Sequence, residues 1–369
     1  MQQCQYRCRR LLHRLITVHL ALPRWRRALV VGDRGTGNSR ASRILLLRYK
    51  YAGGNPRFGL SPEEHATYAP LAEAGIGEID QFYFDVDHRQ SLRGERHIID
   101  RAARFRPDLL VLSSYDPWNA WHPYPEVLQA IRAVSSLPTL LIWHDSVGDS
   151  QVELARRLEN LVDLHLVMDS SNLCRRFGED RFLRLWVPLT QTIFHAGGAE
   201  RDIPVSFVGS TESYRDVRKP FLEYLSAQGM PLLVTGGQHQ ESLSLEDYAL
   251  VLRRSKITLN FSHSIPGKHQ EKARVFEALF SGALLMENSG NEETKLHFTP
   301  MVDYVEFDSK EDLLDKVRYY LDNEDERNEI ASNGHAKAVQ QFGHRQFWDR
   351  ALKRIEQLGL GFFARSAEA

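Results

Sequence analysis

Short apolar runs alternate with amphipathic stretches from Arg43 almost to the carboxyl end, and this alternation limits the possible folds more than any other feature. "RILLLRY" (43–49) is an apolar run bounded by polar residues, the pattern of a strand buried on both faces. A glycine-rich turn, "YAGGNPRFGLS", follows it. "SPEEHATYAPLAEAG" then carries helix signals: Ser61 as cap, Pro62 at the first helical position, Glu63 and Glu64 at the positive end, and Gly75 as stop. "IDQFYFDVD", "DLLVLSSY", "PTLLIWHDS" and "DLHLVMDSS" read as further strands, with "ERHIIDRAARFRP", "PEVLQAIRAVS" and "QVELARRLENLV" as the helices between them. Such alternation means βαβ units and a parallel sheet covered on both faces, an α/β fold.

The stretch from Pro188 to Asp202 has neither period and reads as a linker, after which the grammar restarts with "IPVSFVGS", "VRKPFLEYLSAQG" and "MPLLVTGG". "LEDYALVLRRS", "KITLNFS", "EKARVFEALFSG", "ALLMEN", "SKEDLLDKVRYYLDN" and "DERNEIASNGHAKAVQQF" continue it. Ser309 and Asp312 have capping-box spacing. The expected organisation is an extension (1–42), a first Rossmann-like domain (43–187), the linker (188–202), a second Rossmann-like domain (203–350) and a tail (351–369). Two doubly wound parallel sheets then face a central crevice, and ligands of such sheets bind outside the carboxyl ends of the strands.

Composition narrows the function. With 47 Lys and Arg against 48 Asp and Glu, the net charge of -1 provides no general attraction for nucleic acid, so an anion site must be local. Three cysteines, Cys4, Cys8 and Cys174, form neither a paired framework nor a metal set, as in a cytosolic protein. Residues 1–43 differ from the rest, with ten arginines, no lysine and one acid, Asp33. "LITVHLALP" within them is too short to span a bilayer, although an Arg-rich amphipathic start suits peripheral contact with an anionic membrane surface. The same segment also reads as a frayed extension.

"GDRGTGNS" (32–39) has phosphate-loop spacing, with Asn38 where a lysine would contact the phosphates. The chain leads from there into a strand rather than a helix, so a nucleoside triphosphatase reading fails twice and a hinge is expected. The densest polar constellation is "KHQEKARVFEALFSGALLMENSGNEE" (268–293), in which Arg274 and Glu277 lie three apart on one helical face near the helix start. Arginine and the N–H groups of a helix start suit phosphate, and a carboxylate suits two vicinal ribose hydroxyls. On spacing alone, an intrahelical ion pair accounts for the same two residues.

These motifs carry a resemblance. "SFVGS" (206–210), "LRRSKITLNFS" (252–262), "KARVFEALFSGALLMEN" (272–288), "DYVEFDSKEDLLDKVRYYLDNEDERNEIASNGHAKAV" (303–339) and the final "FGHRQFW" resemble, in order, the carboxy-terminal domain of GT-B glycosyltransferases, most closely the CgeB-like family. "YKYAGGNPRFGLSPEE" and "IWHDS" resemble its first domain more loosely. The resemblance implies a nucleotide-sugar donor held mainly by the second domain and an acceptor, a glycan, lipid or protein, held mainly by the first. It gives Glu277 the donor ribose. It makes Arg274 and the loop bearing Gly290, Asn291 and Glu292 diphosphate contacts, together with the turn Gly209–Ser210 and the basic residues Arg215, Arg218 and Lys219. Many retaining members have a second acid eight positions before the ribose glutamate; here that position is His269, which becomes a phosphate or sugar contact instead. The exchange also admits a non-catalytic nucleotide- or glycan-binding protein of the same fold.

In the first half, Gly54 and Gly59 belong to a loop where the chain approaches a ligand or its neighbour closely. His144 and Asp145 end the strand "PTLLIW" on the crevice side and are the candidate catalytic pair, although adjacent strand residues point opposite ways. Trp118, Trp121, His122 and Tyr124 offer an aromatic platform for an acceptor, or simply pack on one another. Zinc-type spacing and a D-x-D in a donor-site context are both missing. The expected enzyme therefore uses no cofactor or metal and neutralises the leaving diphosphate with cations and helix-end dipoles.

Overall fold

The computed structural model describes residues 42–88, 94–116, 122–123, 125, 127–129, 137–211, 217–236, 243–265 and 268–360. The phosphate-loop-like segment, the Arg-rich start, Arg215, Trp118, Trp121, Tyr124 and most of the "PEVLQAIRAVS" helix lie outside the described residues.

Six parallel strands form the first sheet: β1 (Arg43–Arg48), β2 (Glu78–Tyr83), β3 (Leu109–Ser113), β4 (Thr139–Trp143), β5 (Leu164–Val167) and β6 (Phe182–Arg184), in the order β2-β1-β3-β4-β5-β6. β3, β4 and β5 are buried at every position, which is why they read as unbroken apolar runs. The second sheet contains β7 (Ile203–Val208), β8 (Leu232–Thr235), β9 (Ser255–Asn260), β12 (Leu284–Asn288) and β13 (Val305–Phe307), in the order β13-β12-β9-β7-β8, again parallel. β10 (His263–Ile265) and β11 (Lys268–His269) form a small antiparallel ribbon beside it. The two-sheet α/β architecture and most element positions are those read from the sequence.

Local chemistry corrects the reading at three places. The "PEEHATY" helix starts as expected, with the Glu63 N–H donating to Ser61 Oγ at 3.3 Å, but residues Glu64–Tyr68 form a π-turn before the regular turn Ala69–Glu73. The expected strand through "FDVD" ends at Tyr83, and Phe84–His88 is a second π-turn. It turns the Asp85 carboxylate onto the backbone N–H groups of Lys50 and Tyr51, both at 2.9 Å, which ties down the glycine loop after β1. The boundary at residue 350 falls inside the helix His344–Gln357, whose Ala351 and Ile355 are buried in a core shared by both halves. This helix crosses back to the first half, where Arg354 Nη1 donates to the Glu179 and Asp180 carbonyls at 2.8 and 3.2 Å.

The halves meet on apolar surface. Trp186, fully buried, meets Phe342 and Phe347 edge-on at 5.1 and 6.1 Å between ring centroids, and Phe276 lies 6.0 Å from Phe342. Gly334 allows the helix Glu324–Gln341 to approach this region. A Cβ there would sit 2.2 Å from the Asp303 carbonyl oxygen and 2.8 Å from Leu279 Cδ2. Gly334→Ala gains about 1 kcal/mol in helix propensity but forces backbone apart, at a cost of about 1–3 kcal/mol. A lowered midpoint in a thermal melt is expected.

His165 on β5 is fully buried, stacked on Phe182 at 4.1 Å, and accepts the Trp143 indole N–H at 3.1 Å. Burial pushes its pKa down from 6.5 to about 3. The unfolded chain therefore takes up a proton that the folded chain refuses, so stability from this group is complete above pH 6.5 and is lost as pH falls towards 3. His165→Phe is expected to lose less stability than the wild type between pH 7 and 5 in paired denaturant titrations.

Candidate functional site

The helix Ala273–Phe280 follows the β10–β11 ribbon and starts at Lys272, whose side chain does not cap it. Its first N–H groups are the kind of donors an anion completes. Glu277 is 5% exposed and accepts a hydrogen bond from the Tyr248 hydroxyl, supplied by the neighbouring helix Leu245–Arg254. Burial raises the Glu277 pKa against the opposing effects of Tyr248 and Arg274. Burial and then Glu277 push the Tyr248 hydroxyl well above its usual range.

Arg274 does not pair with Glu277 as a simple intrahelical bridge. Its Nη1 donates to Asn260 Oδ1 at 3.0 Å, at the carboxyl end of β9, and its guanidinium lies over the Phe207 ring, 5.1 Å from the centroid. Gly209 completes this seat, since a Cβ there would lie 2.5 Å from Arg274 Nη2. The clash is with the movable end of a side chain rather than with backbone. Gly209→Ala is accordingly expected to shift the guanidinium and weaken nucleotide binding about tenfold, the scale of one charged hydrogen bond. Alanine is also strained at the φ of 159° held by Gly209, so the melting temperature should fall modestly; nucleotide titration well below the new midpoint and a melt on the same sample separate the two effects.

The remaining sequence-derived contacts divide. Arg218 is 5% exposed and donates to the Ser210 carbonyl at 3.1 Å and the Phe261 carbonyl at 3.5 Å, so it braces the turn after β7. Lys219 is exposed and pairs with Glu223 at 3.6 Å on the outer face of its helix. His269 is half-buried, with Nδ1 2.7 Å from Ser262 Oγ and its ring 4.2 Å from that of His263. Burial, and then His263, lower its pKa. Gly290, at φ 86°, faces it; a Cβ there would be 3.5 Å from His269 Cε1. Asn291 caps the short helix Glu292–Lys295 and donates to Glu287 Oε1 at 3.2 Å, whereas Glu292 is exposed and bridges Lys295.

Across the crevice, the π-turn brings His65 within 4.0 Å of Glu277, Nε2 to Oε1. His144, at the end of β4, has Nε2 3.1 Å from Ser113 Oγ and 3.4 Å from Thr67 Oγ1. Burial lowers both histidines to about 4, with His65 adding to the effect on His144, so both are neutral at physiological pH. Asp145 points the other way: it is exposed and accepts from Gln270 Nε2 at 3.4 Å. Gly54 and Gly59, at φ 67° and 76°, build two tight turns closed by the Ala52 N–H on the Gly59 carbonyl at 3.1 Å, so their conformation serves the loop itself. His122 is not a platform residue. It is 2% exposed, its ring 4.3 Å from Phe84 and stacked on Tyr115 at 5.6 Å.

Sequence reasoning missed His65, Tyr248, Asn260, Ser113 and Thr67. Tyr248 falls on the apolar stripe with Ala249 and Leu252 and reads there as core. His65 reaches the crevice only because the helix widens by one residue. Among the described residues, no three His, Cys, Asp or Glu side chains are grouped to hold a metal ion, and no helix is long and apolar enough to cross a membrane.

Two facing parallel sheets with a crevice between their carboxyl ends and a carboxy-terminal helix crossing back define the GT-B fold, and solved structures share it. The chain superimposes on Anabaena Alr3699/HepE in complex with UDP and glucose at a TM-score of 0.56, with 11% identity over 85% of this chain and 99% of that one. A sucrose-phosphate synthase from Thermosynechococcus elongatus gives 0.58, with 10% identity over 87% of this chain and 100% of the other. An alpha-glucosyltransferase in complex with UDP-glucose and DNA gives 0.55 at 9% identity, over 85% and 99%. Residues 201–353 match the family model described as glycosyl transferase-like. No curated protein matches the chain by sequence.

Proposed function

We propose that this chain is a metal-independent, cytoplasmic, CgeB-like glycosyltransferase that moves a sugar from a nucleotide-diphosphate sugar, UDP-linked in the first instance, to an acceptor alcohol in a glycan, lipid or protein. The observation that carries this is the Glu277–Tyr248–Arg274 cluster beside an uncapped helix start, facing two neutral histidines of the other half. The structural relatives solved with UDP or UDP-glucose support the choice of base.

Glu277 takes the ribose hydroxyls, and Arg274 with the helix start takes the diphosphate. Transfer breaks the bond between the anomeric carbon and the diphosphate oxygen and forms one to the acceptor oxygen. The leaving diphosphate retains the bonding electron pair, and Arg274 and the helix-end dipole hold that charge. His144, neutral and positioned by Ser113, is the group of the first half suited to accept the acceptor's proton. The 4.0 Å His65–Glu277 contact leaves no space for a ribose between them, so donor entry requires the halves to part.

A thermal-shift panel of UDP, GDP, ADP and CDP tests the donor site, followed by hydrolysis of the matching nucleotide sugar. Stabilisation by UDP with slow sugar release supports the enzyme. Binding without turnover across all acceptor pools would move the assignment to a non-catalytic nucleotide-binding protein, which the histidine at position 269 favours. No response to any diphosphate would overturn both readings.

A further inference from the structure

A second polar cavity of about 620 Å³ opens on the opposite end of the second sheet from the crevice. Arg201 precedes β7, Lys256 is the second residue of β9, and Gly282 precedes β12, so the cavity lies at the amino ends of these strands. Arg327 and His335 close it from the helix Glu324–Gln341. The strands between the cavity and the crevice are five or six residues long, which separates them by roughly 17–20 Å.

Two of the cations here, Arg201 and Lys256, are under-compensated, whereas Arg327 already donates to Glu324 and to the Tyr320 carbonyl at 3.1 Å. Arg201 donates to the carbonyls of Ser255 at 2.6 Å and Ser281 at 2.9 Å, and among the described residues no carboxylate is in ion-pair contact with it. A guanidinium carries five N–H donors, so capacity remains. Burial, and then the Arg327 charge, lower the Arg201 pKa, the signature of a desolvated cation beside another cation. Lys256 is half-buried and likewise makes no ion pair among the described residues. Glu324 meets Arg327 at 2.7 Å but is 65% exposed, and Glu200 is exposed at the rim. Inorganic phosphate would leave most of this volume empty; a phosphorylated organic molecule is of the right size.

We propose that this cavity is a binding site, separate from the donor crevice, for a small organic phosphate or diphosphate held by Arg201 and Lys256, with the Arg327 charge beside them. Its lining includes Ala196, Glu200 and Arg201, which lie just before β7, so an occupant ties this segment to the second half.

The test is a calorimetric titration with pyrophosphate, performed on full-length Arg274→Ala so that the crevice does not compete. Binding at millimolar concentration that falls at least about tenfold on adding Lys256→Glu supports the site. Should that double variant fail to fold, Lys256→Ala gives the same reading with a smaller loss. Binding unchanged by either Lys256 substitution overturns the proposal, and so does the absence of binding in Arg274→Ala.

Discussion

Glu277→Ala is expected to remove the nucleotide-dependent rise in melting temperature and to weaken donor affinity by at least about 100-fold, the equivalent of two charged hydrogen bonds to the ribose. The same substitution should barely change the unliganded fold. The carboxylate is buried, and burial raises its pKa, so its removal relieves desolvation while leaving the Tyr248 hydroxyl without its acceptor. These effects oppose each other. Glu277→Gln keeps an acceptor for Tyr248 but lacks the charge and should fall between the two. Calorimetric titration with UDP, alongside melts of each unliganded variant, separates lost binding from lost structure. Wild-type affinity in the alanine variant would show that the ribose is held elsewhere.

How far the sequence could reveal this site depends on what each residue does there. Arg274 and Glu277 were legible because helical spacing and charge place them on one face, and the structure keeps them on the same short helix. The purely apolar strands were legible for a similar reason: burial on both faces removes any competing period. What was not legible depends on exceptions to periodicity or on the other half of the chain. The π-turns at Glu64–Tyr68 and Phe84–His88 break no composition rule, yet one aims His65 at the crevice and the other aims Asp85 at the glycine loop. Arg218 shows the converse. A basic residue after a glycine–serine turn suits phosphate on paper, and in the fold its guanidinium also braces that turn through the Ser210 and Phe261 carbonyls, contacts that no sequence period announces.

The ion-pair network between the halves was invisible to the sequence for the same reason, since its members lie 87 and 109 residues apart, and its disruption should have the largest effect on stability. Arg184, at the end of β6, donates through Nη2 to Glu271 Oε2 at 2.6 Å and through Nε to Glu293 Oε2 at 3.4 Å, both from the second half. Glu271 also meets His297 Nδ1 at 2.9 Å, and Glu293 accepts from Ser171 Oγ at 2.7 Å. The side chains are 12%, 0% and 9% exposed, so water replaces none of these partners. Burial works against the Arg184 cation, yet the two carboxylates hold its pKa above the usual value. Arg184→Met fills similar space but strands the buried Glu271 carboxylate and leaves Glu293, among cations, only the 3.5 Å contact with the exposed Arg175, a loss of about 3–5 kcal/mol. Adding Glu271→Gln to that variant removes the stranded charge and should recover part of the loss, whereas Glu271→Gln alone should destabilise. A double-mutant cycle in denaturant measures the coupling. Additive effects would mean that the contact between the halves rests on the Trp186, Phe342 and Phe347 packing rather than on this network.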